Sequence, residues 1–475
     1  MTHANDPNRR SEQVERVILS GDSFDPARPF TCARAPGRLD FMGGNVDYTG
    51  GLVLQIPTRE SIWAVFQPSP QPTLRVFNPG AAEFGWETRL EIRSSELSSL
   101  ASIEDICQRV PQTTWGKYVF GALHLLRQRY GSFAVDGGSL FLASDLPPNR
   151  GVASSAALVI AVLKAVCSAQ GIGLDGVALA TAGQWVENIV AHSACGIMDH
   201  AAIVLGAQSS LLPIRCQPCE PGDPIALPEG LRIWGVDSMV PRSTSGEAYE
   251  TARAAAFMGY KLICQWEKLD ITFDDLSLIP RWTDARWNGY LSNIRAADFR
   301  EKYEPRLPES ITGEDFLRLA GEHIDPISSI KPAREYPVRA AARYAIEENS
   351  RVETIKTMME TTGSCAIESS LRTLGKLIAE SHAAYAECGL GSAACNELVN
   401  LAHDFGFQGA KMTGGGAGGV VAILGTVDQQ EALGKLVSAY AARRGVHPHV
   451  FEGSSNGAEV SVDQILAPSP FEAIH

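Results

Sequence analysis

Basic blocks, long apolar runs and paired cysteine motifs are all missing from this sequence of 475 residues. Lys and Arg total 41 against 54 Asp and Glu, a net charge of −13, and no run of consecutive basic residues offsets it. A nucleic-acid binder needs a basic stripe, so that class is disfavoured. Any anionic ligand must be held by a few local groups rather than by the overall field. The longest nearly uncharged apolar stretch, Val152 to Leu163, carries Ser154 and Ser155 and ends at Lys164. A bilayer needs ~20 apolar residues, so no membrane span is expected. The opening residues MTHANDPNRRSEQ have no apolar core, and no secretory signal is expected. The ten cysteines contain one C-x-x-C, Cys216 and Cys219, with no second pair at zinc-ribbon distance. Reduced, mostly buried thiols in a cytoplasmic protein are the plainer reading. His447 and His449 flank Pro448 without a neighbouring carboxylate or cysteine and are read as a surface loop.

What is present is an ordinary globular composition, 45% apolar and 20% charged, in a chain about three times the ~150 residues of a typical domain. Residues 1–30 are a polar extension. A strand near Thr31–Ala35 leads into the Gly-rich segment from Gly37 to Gly51, and β-like runs follow at Leu52–Pro57 and Ser61–Gln67. Helical spacing marks Trp115 to Tyr130, Ser154 to Ala169 and about Val177 to His192, with a strand at Ser139–Ala143. The Pro/Cys-rich stretch 216–230 reads as a linker between a domain at 31–215 and one at 231–465. The second domain opens with a strand (Leu231–Asp237) and a helix (Glu247–Leu269). It closes with helices at Ser370–Tyr385 and Asn396–Phe405 and strands at Val420–Leu424 and Ala458–Val462. Interleaved helices and strands predict an α/β or α+β fold.

Three short patterns match familiar motifs by accident. Gly414 to Gly419 satisfies G-x-G-x-x-G but runs into a strand-like segment, where a dinucleotide fingerprint opens a helix. Gly453 to Gly457 satisfies G-x-S-x-G without the helix that a nucleophile elbow needs. Asp404-Phe405-Gly406 stands at a helix end with no catalytic-loop H-R-D anywhere, and a Walker A loop is absent.

Three other loops carry residue types that belong together. Gly37 to Gly51 is a Gly-rich turn holding Arg38 and the carboxylates Asp40 and Asp47. Pro147 to Gly151 turns into Ser154 and Ser155 at a helix N-terminus, where free N–H groups and the positive dipole end suit phosphate. Serine hydroxyls there can join a Mg²⁺ shell. Lys411 to Gly419 is dense enough in glycine for close backbone approach to a ligand.

In this order the loops resemble the sugar-kinase branch of the GHMP small-molecule kinases. Gly37 to Gly51 (GRLDFMGGNVDYTGG) is similar to the galactokinase signature G-R-V-N-L-I-G-E-H-T-D-Y-N-G-G, and Pro147 to Ala156 to the family's P-x-G-x-G-L-S-S-S-A loop. Lys411 to Gly419 resembles K-M-T-G-G-G-F-G-G, and Cys195 to His200 (CGIMDH) resembles the C-G-I-M-D-Q segment that bears the catalytic aspartate. The kinase portion of plant L-arabinokinases, with G-R-L-D-V-M-G-G-I-A-D-Y-S-G, is tracked more closely still, and Leu307 to Gly313 resembles that family too.

The resemblance implies an α+β, two-lobed fold with the active site between the lobes, and an ATP- and Mg²⁺-dependent sugar 1-kinase acting as monomer or homodimer. It makes Asp199 the carboxylate that accepts or orients the proton of the anomeric hydroxyl, with Arg38 beside it neutralising phosphoryl charge. Asp47, Gly44, Asn45, Gly196 and Tyr249 fall at sugar-contacting positions. Asn149, Arg150, Gly151, Val152, Ala153, Ser154, Ser155 and Ala156, with Trp115, Gly415 and Gly416, fall at ATP-binding ones; Ser155 and Glu187 match the metal positions. Four departures stand out. Asn149 replaces Gly and is expected to slow or tilt nucleotide binding, Ala153 replaces Ser, Ala417 replaces Phe or Ser, and His200 replaces Gln. The E-H pair, whose Glu reads the C6 hydroxyl in galactokinases, is here Gly44-Asn45, which points to L-arabinose. D-Galactose, a uronic acid, or a non-catalytic sugar sensor of the same fold remain as alternatives.

Overall fold

The computed structural model describes residues 24–25, 28–131, 136–241, 246–274, 279, 281–361, 367–458 and 462–463. Most of the expected polar extension, and the end of the second expected domain at 464–465, lie outside these residues. Within them, the N-terminal half is a mixed sheet covered by helices. Its strands are β1 (Thr31–Met42), β2 (Leu52–Pro68), β3 (Thr73–Phe77), β4 (Arg89–Arg93), β5 (Gly138–Ser144) and β6 (Ser210–Arg215). The order is β1-β2-β5-β3-β4, antiparallel except for the parallel pair β3/β5. On the edge away from β1, β2 pairs β5 through its second half and β6 through its first.

The Gly-rich segment is therefore only partly a turn. Pro36 to Met42 continues β1, with register shifts after Pro36 and after Asp40, and the turn begins at Gly43. Glycine at 37 serves close approach: a Cβ there would meet Leu146 at 2.5 Å and the Val152 carbonyl at 2.8 Å. The runs expected as two strands at 52–67 are one strand, whose ladder with β1 shifts register between Pro57 and Ser61 without ending.

Four helices cover this sheet: α1 (Gly116–Tyr130), α2 (Ser154–Gln170), α3 (Gly176–Trp185) and α4 (Met198–Leu205). α2 is apolar over most of its surface, and Val159 to Leu163 are fully buried, as expected of a helix sunk in the core. The stretch expected as a linker is folded onto the sheet: Glu220–Pro221 and Ile225–Ala226 both pair antiparallel with β6.

The C-terminal half holds an antiparallel sheet ordered β8-β9-β7-β10, from β7 (Leu231–Asp237), β8 (Gly409–Met412), β9 (Val420–Thr426) and β10 (Val450–Phe451). Its helices include α5 (Glu247–Trp266), α6 (Val338–Thr361), α7 (Ile367–Glu387), α8 (Ala393–Asp404) and α9 (Gln430–Arg444). α5 and α6 enclose a separate aromatic core built around Tyr260, Trp282, Trp287, Tyr303, Phe316 and Tyr336. The chain then returns to the first sheet, where Val462–Asp463 pairs with Cys32 and Ala33. The second expected domain thus contributes a strand to the first. No described helix is long and apolar enough to cross a membrane.

The halves are joined at the Gly-rich segment. Asp40 N–H donates to Thr413 Oγ1 at 2.6 Å, and Lys411 Nζ lies 3.0 Å from Asp40 Oδ2 with both side chains buried. Gln55 Nε2 donates to the other Asp40 oxygen at 2.7 Å. Removing one partner of a buried ion pair strands the other charge. Lys411→Met should therefore cost ~3–5 kcal/mol in denaturant unfolding, and adding Asp40→Leu should recover at least half of that loss.

Candidate active site

β1 delivers Arg38 fully buried, where a guanidinium must be paired. Its Nε and Nη2 both donate to Asp199 Oδ1, at 2.8 and 2.6 Å, leaving Oδ2 outside the pair. Asp199 sits in the first turn of α4 and is 15% exposed. The third edge of the guanidinium, Nη1, donates to the Gly151 carbonyl at 2.7 Å, and Arg38 N–H donates to the Val152 carbonyl at 3.1 Å. One arginine so fixes the carboxylate and the phosphate loop against each other. Arg38 and Asp199 are 161 residues apart in the chain and in contact in the fold.

Beside this pair lies Asp47, in a single helical turn (Asp47–Thr49) that closes the Gly-rich segment. Burial, and then the charge of Asp199, push its carboxyl up from 3.8 to about 6; Arg253 and the backbone N–H groups of Tyr48 and Met198 act the other way. Gly196 has to be glycine here, since a Cβ would collide with Asp47 Oδ2. Asn45, in the left-handed region at φ 62°, is buried with neither amide atom hydrogen-bonded among the described residues. A Cβ at Gly44 would collide with the Tyr385 hydroxyl and lie 2.5 Å from Asp40 Oδ2. Tyr249 is buried, edge-on to Tyr48 at 6.0 Å. Asp47, Gly196, Tyr48 and Arg253 help line a cavity of about 200 Å³, suited to a ligand smaller than the drug-sized molecules that fill ~300–1,000 Å³.

A second cavity of about 510 Å³ lies on the phosphate-loop side. Trp115, Asn149, Arg150, Ser154 and Ser155 line it, with Trp86 and Tyr118 adding aromatic wall. An aromatic cleft ending at the N-terminus of a 17-residue helix fits a nucleotide, base toward the rings and phosphates toward the free N–H groups. Asn149 and Ala153 both adopt left-handed φ, 58° and 60°. Asparagine tolerates that conformation best after glycine, which accounts for Asn149 standing where glycine was expected. Gly151 and Val152 do not line this cavity and instead turn their carbonyls to Arg38, and Ala156 is buried beneath the loop. Gly415 and Gly416 do not line it either; a Cβ at Gly416 would press on Tyr385 and Leu390 at 2.8 Å. His447 and His449 lie in a loop, as expected, with His447 exposed, and that loop forms part of the rim of this cavity, His449 Nε2 lying 3.6 Å from buried Glu60.

Glu187 is no solvated helix carboxylate. It is buried, with Oε1 3.4 Å from the buried His200 Nε2, so the His-for-Gln departure supplies its neighbour. Its charge also helps burial to suppress ionisation of Tyr118, a wall residue of the nucleotide-sized cavity. Ser155 and Glu187 are the residues that would hold Mg²⁺; orphaned Glu187 Oε1 is a hard oxygen ligand of the fitting type.

The GHMP kinases N terminal domain matches residues 117–207, and the galactokinase galactose-binding signature matches residues 22–68. The chain therefore carries a GHMP kinase N-terminal domain and a galactokinase signature. An L-arabinokinase from Arabidopsis thaliana is 31% identical over 96% of the chain, which spans about half (48%) of that relative's length. A galactokinase from Chloroflexus aggregans is 27% identical over 91% of the chain and 94% of its own length. Lactococcus lactis galactokinase, solved in complex with galactose, superposes with a TM-score of 0.72 at 18% identity, covering 96% of this chain and all of its own. Methanococcus jannaschii mevalonate kinase gives 0.54 at 14% identity, covering 89% of this chain and 98% of its own. The GHMP kinase fold is thus the two-halved, mixed sheet-and-helix architecture described above.

Sequence reasoning missed the partners that arrive from afar: Lys411 for Asp40, Tyr385 against Gly44, and Arg253, which pairs with Asp325. Only composition, in the form of Arg and Tyr within amphipathic helices, could have hinted at them. For Asp47 the raised carboxyl has a stability consequence. An aspartate whose folded value exceeds 3.8 binds more protons folded than unfolded, so its contribution falls as pH rises from about 4 to about 6. Asp47→Asn should raise unfolding stability by up to ~3 kcal/mol at pH 7 and by little at pH 4, while weakening sugar binding. Denaturation at the two pH values, with sugar titration, measures both.

Proposed function

We propose that this chain is an ATP-dependent sugar 1-kinase that transfers the γ-phosphate to the anomeric hydroxyl of L-arabinose. The observation that carries the sugar assignment is at Gly44. The position where galactokinases present a glutamate has no side chain, and the Tyr385 hydroxyl occupies the space a Cβ would need. Tyr385 is itself fixed by donating to the Gly414 carbonyl at 2.6 Å. A hexose would lose a charge-assisted hydrogen bond to its C6 hydroxyl, worth ~1.5–3 kcal/mol, and a pentose loses nothing. The 31% identity to an L-arabinokinase supports the same reading. The galactose-binding signature and the 27% identity to a galactokinase favour the second reading, D-galactose.

The residues divide the chemistry as follows. Asp199 Oδ2 takes the anomeric hydroxyl and its proton while Oδ1 stays bound to Arg38. Arg38 places positive charge where phosphoryl charge develops, and positioning with charge stabilisation is most of what phosphoryl transfer asks of a protein. The N–H groups opening α2 cradle the phosphates, and Mg²⁺ bound by Ser155 and Glu187 would neutralise their oxygens. Asp47 accepts from ring hydroxyls shared by arabinose and galactose. The enzyme works in the cytoplasm on small molecules, as a monomer or homodimer.

Side-by-side kinetics test the assignment. L-Arabinose should give the higher kcat/KM, by ~10–200-fold, with D-galactose a weak substrate; a clear preference for galactose would sink the arabinose reading. Asp199→Asn should lower kcat by ~10²–10⁴-fold with nucleotide binding nearly intact, and near-full turnover would remove Asp199 from its role.

A further inference from the structure

Arg253 is a buried guanidinium with one edge unused. It projects from α5 and is 4% exposed. Its Nε and Nη2 donate to Asp325 at 2.7 and 2.9 Å, a two-pronged pair in which both side chains are buried. Asp325 is itself held, accepting from Ser328 Oγ at 2.5 Å and from the backbone N–H groups of Ser328 and Ile327 at 3.1 and 3.3 Å. Tyr48 and Phe257 cover the guanidinium, their ring centroids 4.9 and 5.8 Å from Cζ. The group cannot swing, because its fork is docked and its faces are packed. Nη1 remains, buried and without a hydrogen-bond partner among the described residues. A buried donor left unmade is costly, and natural structures rarely tolerate one without a purpose.

That arginine lines the 200 Å³ cavity, and so does Asp47. The wall of one cavity therefore contains a carboxylate acceptor and the guanidinium that carries the unpaired donor. A sugar hydroxyl both donates and accepts, so neighbouring ring hydroxyls satisfy the pair; a purely apolar ligand satisfies neither. Asp47 feels the charges of both Asp199 and Arg253, so the three groups lie near one another. We infer that Arg253 is a specificity-determining sugar-binding residue whose Nη1 donates to a ring hydroxyl oxygen remote from the anomeric carbon. This rests on the sugar-kinase reading above and adds a contact that reading does not contain. The site rejects sugars lacking that hydroxyl because the guanidinium would again be left unpaired.

The test compares the wild-type enzyme with Arg253→Met/Asp325→Leu, which removes the ion pair as a unit so that no lone carboxylate is buried. The substrates are the parent sugar and its 2-, 3- and 4-deoxy forms. In the wild type, one deoxy sugar remote from C1 should lose roughly 10–100-fold in kcat/KM. In the double variant the parent sugar should fall to the level of that deoxy sugar, collapsing their ratio to within about threefold, with the KM for ATP unchanged. Arg253→Lys, which keeps the charge but not the planar fork, should show the same collapse and serves if the double variant fails to fold. An unchanged parent-to-deoxy ratio in the folding variant overturns the inference while leaving the kinase intact. Absence of turnover with every sugar overturns the kinase reading; sugar affinities by calorimetry, on the same substrates and variants, then decide the Arg253 contact, which no sugar binding at all would overturn.

Discussion

A single buried guanidinium organises the site. Arg38 has no exposed surface, and a charge in that position survives only with full compensation. It receives Asp199 on two of its nitrogens and the Gly151 carbonyl on the third. Those bonds hold the start of α4 and the turn before α2 to the middle of β1. The Gly37 position, with no Cβ to keep Val152 away, makes the approach possible. Two residues along β1, Asp40 repeats the device in opposite sign, drawing Lys411 from the C-terminal sheet. The strand therefore carries one buried cation that fixes Asp199 and the turn before α2, and one buried anion that ties the halves together.

The same logic explains how a chain of net charge −13 could hold the polyanion proposed for it. The cations around the two cavities are individually paired, and all but half-buried Arg150 are interior: Arg38 with Asp199, Arg150 with Asp237 at 3.2 Å, Lys411 with Asp40, and Arg253 with Asp325. Pairing keeps each head group in one place in a medium where its field is weakly screened. Arg150 also gives its carbonyl to Val420 N–H, so the third Gly-rich turn grips the phosphate loop from the other half. A basic surface is unnecessary when the charges are already aimed.

Much of this was legible in the sequence where the signal is local. α2 was readable because an unbroken apolar run of small and branched residues follows a Pro/Gly turn, and β7 and β9 because short apolar stretches are bounded by turn residues. The four motifs located Arg38, Asp47, Asp199 and the phosphate loop, and the fold brings them together. Other readings failed for physical reasons. Glycine at 37 looked like a turn signal, but its purpose is close packing within a strand, and composition cannot distinguish the two. The Pro/Cys-rich 216–230 stretch looked like a linker because it is short on apolar pattern, yet its few extended residues complete an edge of the first sheet. Tyr385 against Gly44 and Arg253 with Asp325 join positions 341 and 72 residues apart with no local trace, and tertiary packing alone supplies them.

The proposed transfer requires Asp199 Oδ2 to meet the anomeric hydroxyl while Arg38 holds Oδ1. A crystal structure of the enzyme with L-arabinose and a non-hydrolysable ATP analogue reads that contact directly. The anomeric oxygen should lie ~2.6–3.2 Å from Asp199 Oδ2, with the γ-phosphate facing the N-terminus of α2. A sugar bound with its anomeric carbon turned away from Asp199, or held outside the cavity that Asp47 lines, would contradict it.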